Sequence, residues 1–448
     1  MAIKRFADHG QREKLRRQND RDSKEDLSKT LRDVGIRTGL RERTRTFSFF
    51  GHFGLGNFGN EITLQAILYN LRRHLPNVEI RCICTGPAAT ATTHNIIAVP
   101  ISRTVTKAWT PNNRVAQVLR SIFIGVPDEL SRWSEALTVF KRTDVLIIPG
   151  TGLLTDAYGL RSWGPYNLFK WSLIAKMRGC KLLFVSVGAG PLHSRLGRWL
   201  VRSALALADF RSYRDDETRA YLLSIGAAVA SDKVYPDLAF SVPEEPAPKC
   251  AVPKRRPVVG LGVMLHHGKL SSDKPGGSTY TAYLEQLTVF AKWLLSRDYD
   301  IRLLIGDLSD RPVTVEFKAL LKARLGAYDG DRIIDEPIDS VKSLLAQLAE
   351  TDAVVATRFH NVLLALALNK PVISISFHQK CTSLMQDMGL QRYCQDIHQL
   401  NADRLIEQFC QLEKNAASLK QMIREKVDDC RAALDEQYRL IFKDLLPA

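Results

Sequence analysis

Two apolar segments in the last third of the chain end in basic and imidazole side chains. DAVVAT (352–357) runs into Arg358, Phe359, His360 and Asn361; PVISIS (371–376) runs into Phe377, His378, Gln379 and Lys380. Read as strands, each places alternate residues on one face. Arg358 then shares a face with His360, and His378 with Lys380. A guanidinium suits planar anions and an ammonium suits phosphate as a point charge. Imidazole is the side chain best matched to moving a proton near neutrality. The cluster fits a di- or trianionic ligand with a histidine as proton donor; a solvated basic rim is the plainer alternative.

The first half offers glycine loops. Gly54-Leu55-Gly56-Asn57-Phe58-Gly59-Asn60-Glu61 precedes the helical stretch ITLQAILYNLRRHL. Bare backbone and a helix N-terminus suit an anion, and a purely structural turn has the same composition. Gly54, Gly56 and Gly59 fit the dinucleotide spacing, but the next strand, VEIRCIC, lacks the acidic end that NAD binding wants. Gly150-Thr151-Gly152, followed by Asp156, and Gly188-Ala189-Gly190-Pro191 add two more loops. In Ser212-Tyr213-Arg214-Asp215-Asp216-Glu217 the carboxylates suit the first turn of a helix. Arg214 reads equally as an anion clamp or as a partner of an aspartate. His266 and His267 are adjacent, so in a strand they diverge, and no carboxylate or cysteine stands at ligand spacing. No G-x-S-x-G elbow occurs, and no run interleaves aromatics with basic residues as nucleic-acid platforms do.

These loops need elements to hold them. From Thr46 to Phe240 short Val/Ile/Leu/Phe runs alternate with helical stretches, the pattern of a parallel sheet covered on both faces. SVPEEPAPKCAVPKRRP breaks the pattern and reads as a linker. The alternation then restarts with VVGLGVML and continues to PVISIS, and a helical segment closes the chain. The expected organisation is a basic extension (1–46), a Rossmann-like domain (47–240), a linker (241–256), a second Rossmann-like domain (257–400) and a helical tail (401–448). Ligands of open parallel sheets bind beyond the strand carboxyl ends. Two doubly wound α/β domains facing a cleft make the GT-B arrangement.

Composition sets outer limits. The 448 residues are 45% hydrophobic and 25% charged, ordinary for a globular chain. Charge is the outlier: 63 Lys/Arg against 48 Asp/Glu, a net +15. Residues 1–46 hold 14 Lys/Arg and 8 Asp/Glu, so about +6 sits in the extension. Such a balance favours acidic partners, an anionic membrane face among them. The eight cysteines form no C-x-x-C pair and read as reduced thiols of a cytosolic protein. No apolar run reaches the ~18 residues of a membrane span, and the N-terminus lacks the apolar core of a secretory signal. The expected location is cytoplasmic, with peripheral contact at the inner membrane face through residues 1–46.

Taken in order, GLGNFGNE, DVLIIPGTG with Asp156, SYRDDET, YPDLAF, DAVVATRFH and PVISISFHQK resemble the landmarks of the polysaccharide pyruvyl transferases. The resemblance spans about residues 47–395. It implies a GT-B-like fold and transfer of a pyruvyl group from phosphoenolpyruvate to two hydroxyls of one sugar. The product is a ketal, phosphate is released, and the setting is cell-surface or exopolysaccharide synthesis. It implies phosphoenolpyruvate as co-substrate, with no separate cofactor and no metal, and a glycan or lipid-linked saccharide as acceptor. Arg214, Arg358 and Lys380 fall on the family's donor-binding positions and His360 on its Arg-x-His pair; the glycine loops would serve acceptor or phosphate. Two departures stand out: GTG replaces a longer glycine run, and the basic extension has no counterpart. The competing readings are a nucleotide-sugar glycosyltransferase of the same fold and a non-catalytic glycan- or anion-binding protein.

Overall fold

Thr46–Gly51 (TFSFFG) is buried at all six positions and is an interior strand of the first sheet. Bulky apolar side chains on both faces are what a strand covered from both sides requires. A computed structural model describes residues 44–102, 125–156, 164–243, 256–265, 278–325 and 330–446. Most of the basic extension, most of the proline-rich linker, and His266 and His267 lie outside the described residues.

Seven parallel strands make the first sheet: β1 (Thr46–Gly51), β2 (Glu79–Cys84), β3 (Ile97–Pro100), β4 (Val145–Pro149), β5 (Lys181–Val187), β6 (Phe210–Tyr213) and β7 (Lys233–Val234). Their order is β3-β2-β1-β4-β5-β6-β7. Six make the second: β8 (Val258–Gly262), β9 (Asp300–Leu304), β10 (Ile333–Ile334), β11 (Ala353–Ala356), β12 (Val372–Ser376) and β13 (Cys394–Asp396), ordered β10-β9-β8-β11-β12-β13. Strand order reverses beside β1 and beside β8, the places where open sheets leave a crevice. Both sheets belong to one unit, Arg45–Ala448.

The C-terminal segment runs as two helices. Ala402–Lys414 stays with the second sheet, where Phe409 packs edge-on against Phe290 of the Ser278–Ser296 helix. Ala416–Arg439 returns to the first sheet. There the fully buried Gln437 accepts from Ser186 Oγ (3.1 Å) and donates to Ser212 Oγ (2.6 Å). Phe442 meets Phe47 of β1 edge-on at 6.3 Å.

Cys82 and Cys84 are buried neighbours on β2, and every cysteine among the described residues is a free thiol. No helix among the described residues is long and apolar enough to cross a membrane. Nor does any group of three His, Cys, Asp or Glu among them stand where it could hold a metal ion.

Candidate active site

β6 ends at Tyr213 and delivers Arg214 to the cleft, its side chain only 9% exposed. Nε donates to Asp215 (3.2 Å), and Nη1 lies 3.8 Å from Asp237. The guanidinium lies against the backbone of Gly188. A Cβ there would stand 2.5 Å from Arg214 Cζ, so any side chain would push the arginine away. Arg214 therefore is both things its sequence context allowed: an aspartate partner and a cation facing the cleft.

β11 stops at Ala356, two residues before Arg358. Its last ladder partner is Gly262 of β8, and beyond that pairing nothing keeps the chain extended. The apolar run that follows, VLLALA, instead favours a helix, Phe359–Ala367, with Arg358 as its N-cap. Arg358 and His360 thus reach the cleft from a helix start, not from one face of a strand. The same happens after β12. His378 caps the helix Gln379–Asp387, its Nδ1 accepting from the backbone N–H of Lys380, and Lys380 is that helix's second residue. His378 does not line the cleft. The Phe359 helix has no side-chain cap, so its amide dipole adds to the positive potential.

Three groups converge on one ring. Phe359 lies 5.4 Å from the Arg214 guanidinium and 5.3 Å from Lys380 Nζ, and meets the His360 ring edge-on at 5.0 Å. Arg358 is gripped in bidentate fashion by the fully buried Asp310, Nε at 2.8 Å and Nη2 at 2.7 Å. Burial works against the Arg358 charge, but Asp310 outweighs it and holds the guanidinium protonated. His360 has no such partner: its Nε2 is buried without a hydrogen bond. Burial first, then the charges of Lys380, Arg214 and Arg358, push its pKa well below the ordinary histidine value. Burial and Arg214 likewise lower Lys380 to about 8. Asp237, buried in the same region, is shifted upward because desolvation exceeds the pull of Arg214 and Lys380.

The Gly54–Gly59 loop is a seam between the two sheets. Asn57 and Asp307 form an antiparallel bridge, with Phe58 N–H on Gly306 C=O (3.2 Å) and Leu308 N–H on Gly56 C=O (3.0 Å). Asn57 does two jobs: Oδ1 caps the Phe58–His74 helix through Asn60 N–H, and Nδ2 donates to Asp307 (2.8 Å). Gly59 lets the helix abut the imidazole, since a Cβ there would stand 2.0 Å from His360 Nδ1.

Between the sheets lies a cleft of about 490 Å³. Of the residues singled out in the sequence, Asn57, Asn60, Gly150, Gly152, Arg214, Arg358, His360 and Lys380 line it. Gly54, Gly56, Gly59, Asp156, Gly188 and Gly190 stand behind this lining. Gly54 backs onto Gly86, Gly56 onto Leu308 and Gly190 onto Thr155. Asp156 accepts from the backbone N–H groups of His193 and Ser194 and from the Ser194 hydroxyl, anchoring the start of the next helix. Sequence reasoning missed His52, Asp307, Phe359 and Phe377 on the lining and Asp237 and Asp310 behind it. The signal at Asp307 and Asp310 was a pair of acids just after an apolar strand.

A family model described as polysaccharide pyruvyl transferase matches residues 57–379. The chain belongs to the polysaccharide pyruvyl transferase family. No curated protein matches this sequence. Among solved structures the chain is similar to a UDP-GlcNAc 2-epimerase from Neisseria meningitidis, at 12% identity and TM-score 0.53, covering 88% of this chain and 100% of that one. It is similar too to a UDP-N-acetylglucosamine 2-epimerase from Listeria monocytogenes, described as putative (13%, 0.54, 88% and 97%). A glycosyltransferase from Rickettsia africae gives 13%, 0.53, 89% and 99%. These likenesses carry the fold alone, which is GT-B-like. The pyruvyl transferase match begins at Asn57 and ends at Gln379, so it takes in Asn57, Arg214, Arg358 and His360 and stops one residue short of Lys380.

Proposed function

We propose that this family member transfers pyruvate from phosphoenolpyruvate to two hydroxyls of a sugar, with His360 as proton donor. The observation that supports this is the convergence of Arg214, Lys380 and His360 on Phe359, with Arg358 held beside them by Asp310. Phosphoenolpyruvate carries a carboxylate and a phosphate, and three fixed cations match that charge.

In this reading protonated His360 gives its proton to carbon 3 of the enol. Carbon 2 becomes cation-like, and the first sugar hydroxyl attacks it, returning a proton to His360. The carbon 2–oxygen bond to phosphate then breaks, and the second hydroxyl closes the ketal while its proton leaves with phosphate. His360 is driven neutral in the free site by burial and its cationic neighbours. The donor's negative charge reverses the electrostatic part of that shift, so proton uptake accompanies donor binding. The acid is thereby armed only when its substrate is present.

The test is phosphate release from phosphoenolpyruvate over a panel of glycans and lipid-linked sugars, with parent and His360→Ala. The variant should lose roughly 10²–10⁴ in turnover, the usual worth of a general acid, while donor binding survives. Near-parental turnover would remove His360 from the mechanism. Thermal protection by phosphoenolpyruvate, and none by uridine nucleotides, separates this reading from a nucleotide-sugar glycosyltransferase.

A further inference from the structure

The helix Arg195–Ala206 presents two adjoining stripes to solvent. Arg195, Arg198 and Arg202 form one, at spacings of three and four; Leu196 and Trp199 form the other. Leu196 is 57% and Trp199 54% exposed. Trp199 also pairs with Phe169 of the neighbouring helix Gly164–Met177 at 5.5 Å, and Met177 at that helix's end is 64% exposed. The apolar stripe therefore continues across two helices. Isolated exposed leucines mean little; a tryptophan and a leucine side by side, joined to a phenylalanine of the next helix and rimmed by arginines, are different.

Charge is equally one-sided. The 45 residues 164–208 contain seven Lys/Arg and no Asp or Glu. Lys170 is buried against Glu129, and Lys176 and Lys181 answer Asp209. No carboxylate among the described residues pairs with Arg178, Arg195, Arg198 or Arg202.

We infer that this two-helix face docks on an anionic lipid bilayer. Arginines at headgroup level with leucine and tryptophan beneath them is how an interfacial helix lies in a membrane surface. A second copy of the chain fits worse, because a two-fold contact would set the arginine stripe against itself. A soluble polyanion would answer the arginines and leave the apolar stripe wet. Placement adds to the argument. The helix starts at Ser194, held by Asp156, and Asp156 follows Thr155 on the cleft rim. Docking through this face keeps the cleft mouth close to the bilayer.

The test uses the full chain, residues 1–46 included, in flotation with phosphatidylcholine vesicles with and without one-third phosphatidylglycerol. Parent protein should bind the anionic vesicles. Arg195→Gln/Arg198→Gln/Arg202→Gln should bind them more weakly by roughly fivefold per arginine. Leu196→Ser/Trp199→Ser should bind more weakly as well and lose quenching of tryptophan emission by brominated acyl chains. Both sets lie on the surface, and each should keep the parent's melting temperature and turnover on a water-soluble acceptor. Parental vesicle binding in both variants would overturn the inference and move any membrane contact to another segment. Absence of vesicle binding in the parent would overturn it outright. So would a parent dimer that Leu196→Ser/Trp199→Ser dissociates. The vesicle readout involves no donor, so it stands or falls separately from pyruvyl transfer.

Discussion

Lys380 shows what the cleft costs the free protein. Its ammonium is desolvated and sits beside Arg214, and its pKa falls to about 8. The folded value lies below the unfolded one, so folding is opposed most at pH below about 8, where both states are protonated. That penalty fades as pH rises toward the unfolded lysine value. Lys380→Met should therefore melt higher than the parent at pH 7 without donor, and the gain should shrink above pH 9. The same variant should lose donor affinity. Donor binding restores the charge on Lys380, so above pH 8 the parent's affinity should fall by up to roughly tenfold per pH unit. Calorimetry in buffers of differing ionisation enthalpy would count the proton taken up; pH-independent affinity from 8 to 10 would show that Lys380 does not face the donor. The four side chains that meet here were legible in the sequence as types at strand ends. Their arrangement around Phe359 was not, and neither was the Asp310 clamp on Arg358, which joins residues 48 apart with no periodicity to announce it.

At the scale of elements, the decisive event is where a strand stops. DAVVATRFH reads as continuous strand because nothing local marks the end; the end comes from losing the β8 partner after Gly262. The consequence is that Arg358 becomes an N-cap and His360 enters a helix. The Gly54–Gly59 loop teaches a related lesson. Glycines at that spacing serve an approaching anion or an approaching backbone equally, and here backbone and imidazole arrive. Gly59→Ala should displace the His360 ring, because the new methyl would overlap Nδ1. We expect a fall in turnover of about 10², the scale that an ångström of misplacement carries, with little change in donor affinity. Loss of donor binding with turnover per bound donor intact would contradict this. The alternation of strands and helices, by contrast, was plain from the sequence, because each apolar run is as long as one buried strand.

For the whole molecule, the helix Ala416–Arg439 makes the two sheets interdependent. Gln437 satisfies Ser186 and Ser212 inside the first half from the far end of the chain. Gln437→Leu should leave two buried hydroxyls short of a partner and cost about 1–3 kcal/mol. Chemical denaturation should show that loss in one cooperative transition; two separated transitions would mean that the halves unfold independently. The net +15 of the sequence pointed to acidic partners without saying where. About +6 of it lies in residues 1–46, and among the described residues the cleft and the Arg195–Arg202 stripe are two places where cations gather.

The returning helix also bears on synthesis. Residues of the first sheet leave the ribosome long before Gln437 and Phe442 do, yet Ser186, Ser212 and Phe47 wait for those side chains. A nascent chain arrested near residue 415 holds two sheets' worth of sequence and lacks the last piece of the first. Completion of the N-terminal half therefore waits for synthesis of residues 416–442, and chains cut short before that helix should be ones that proteases clear.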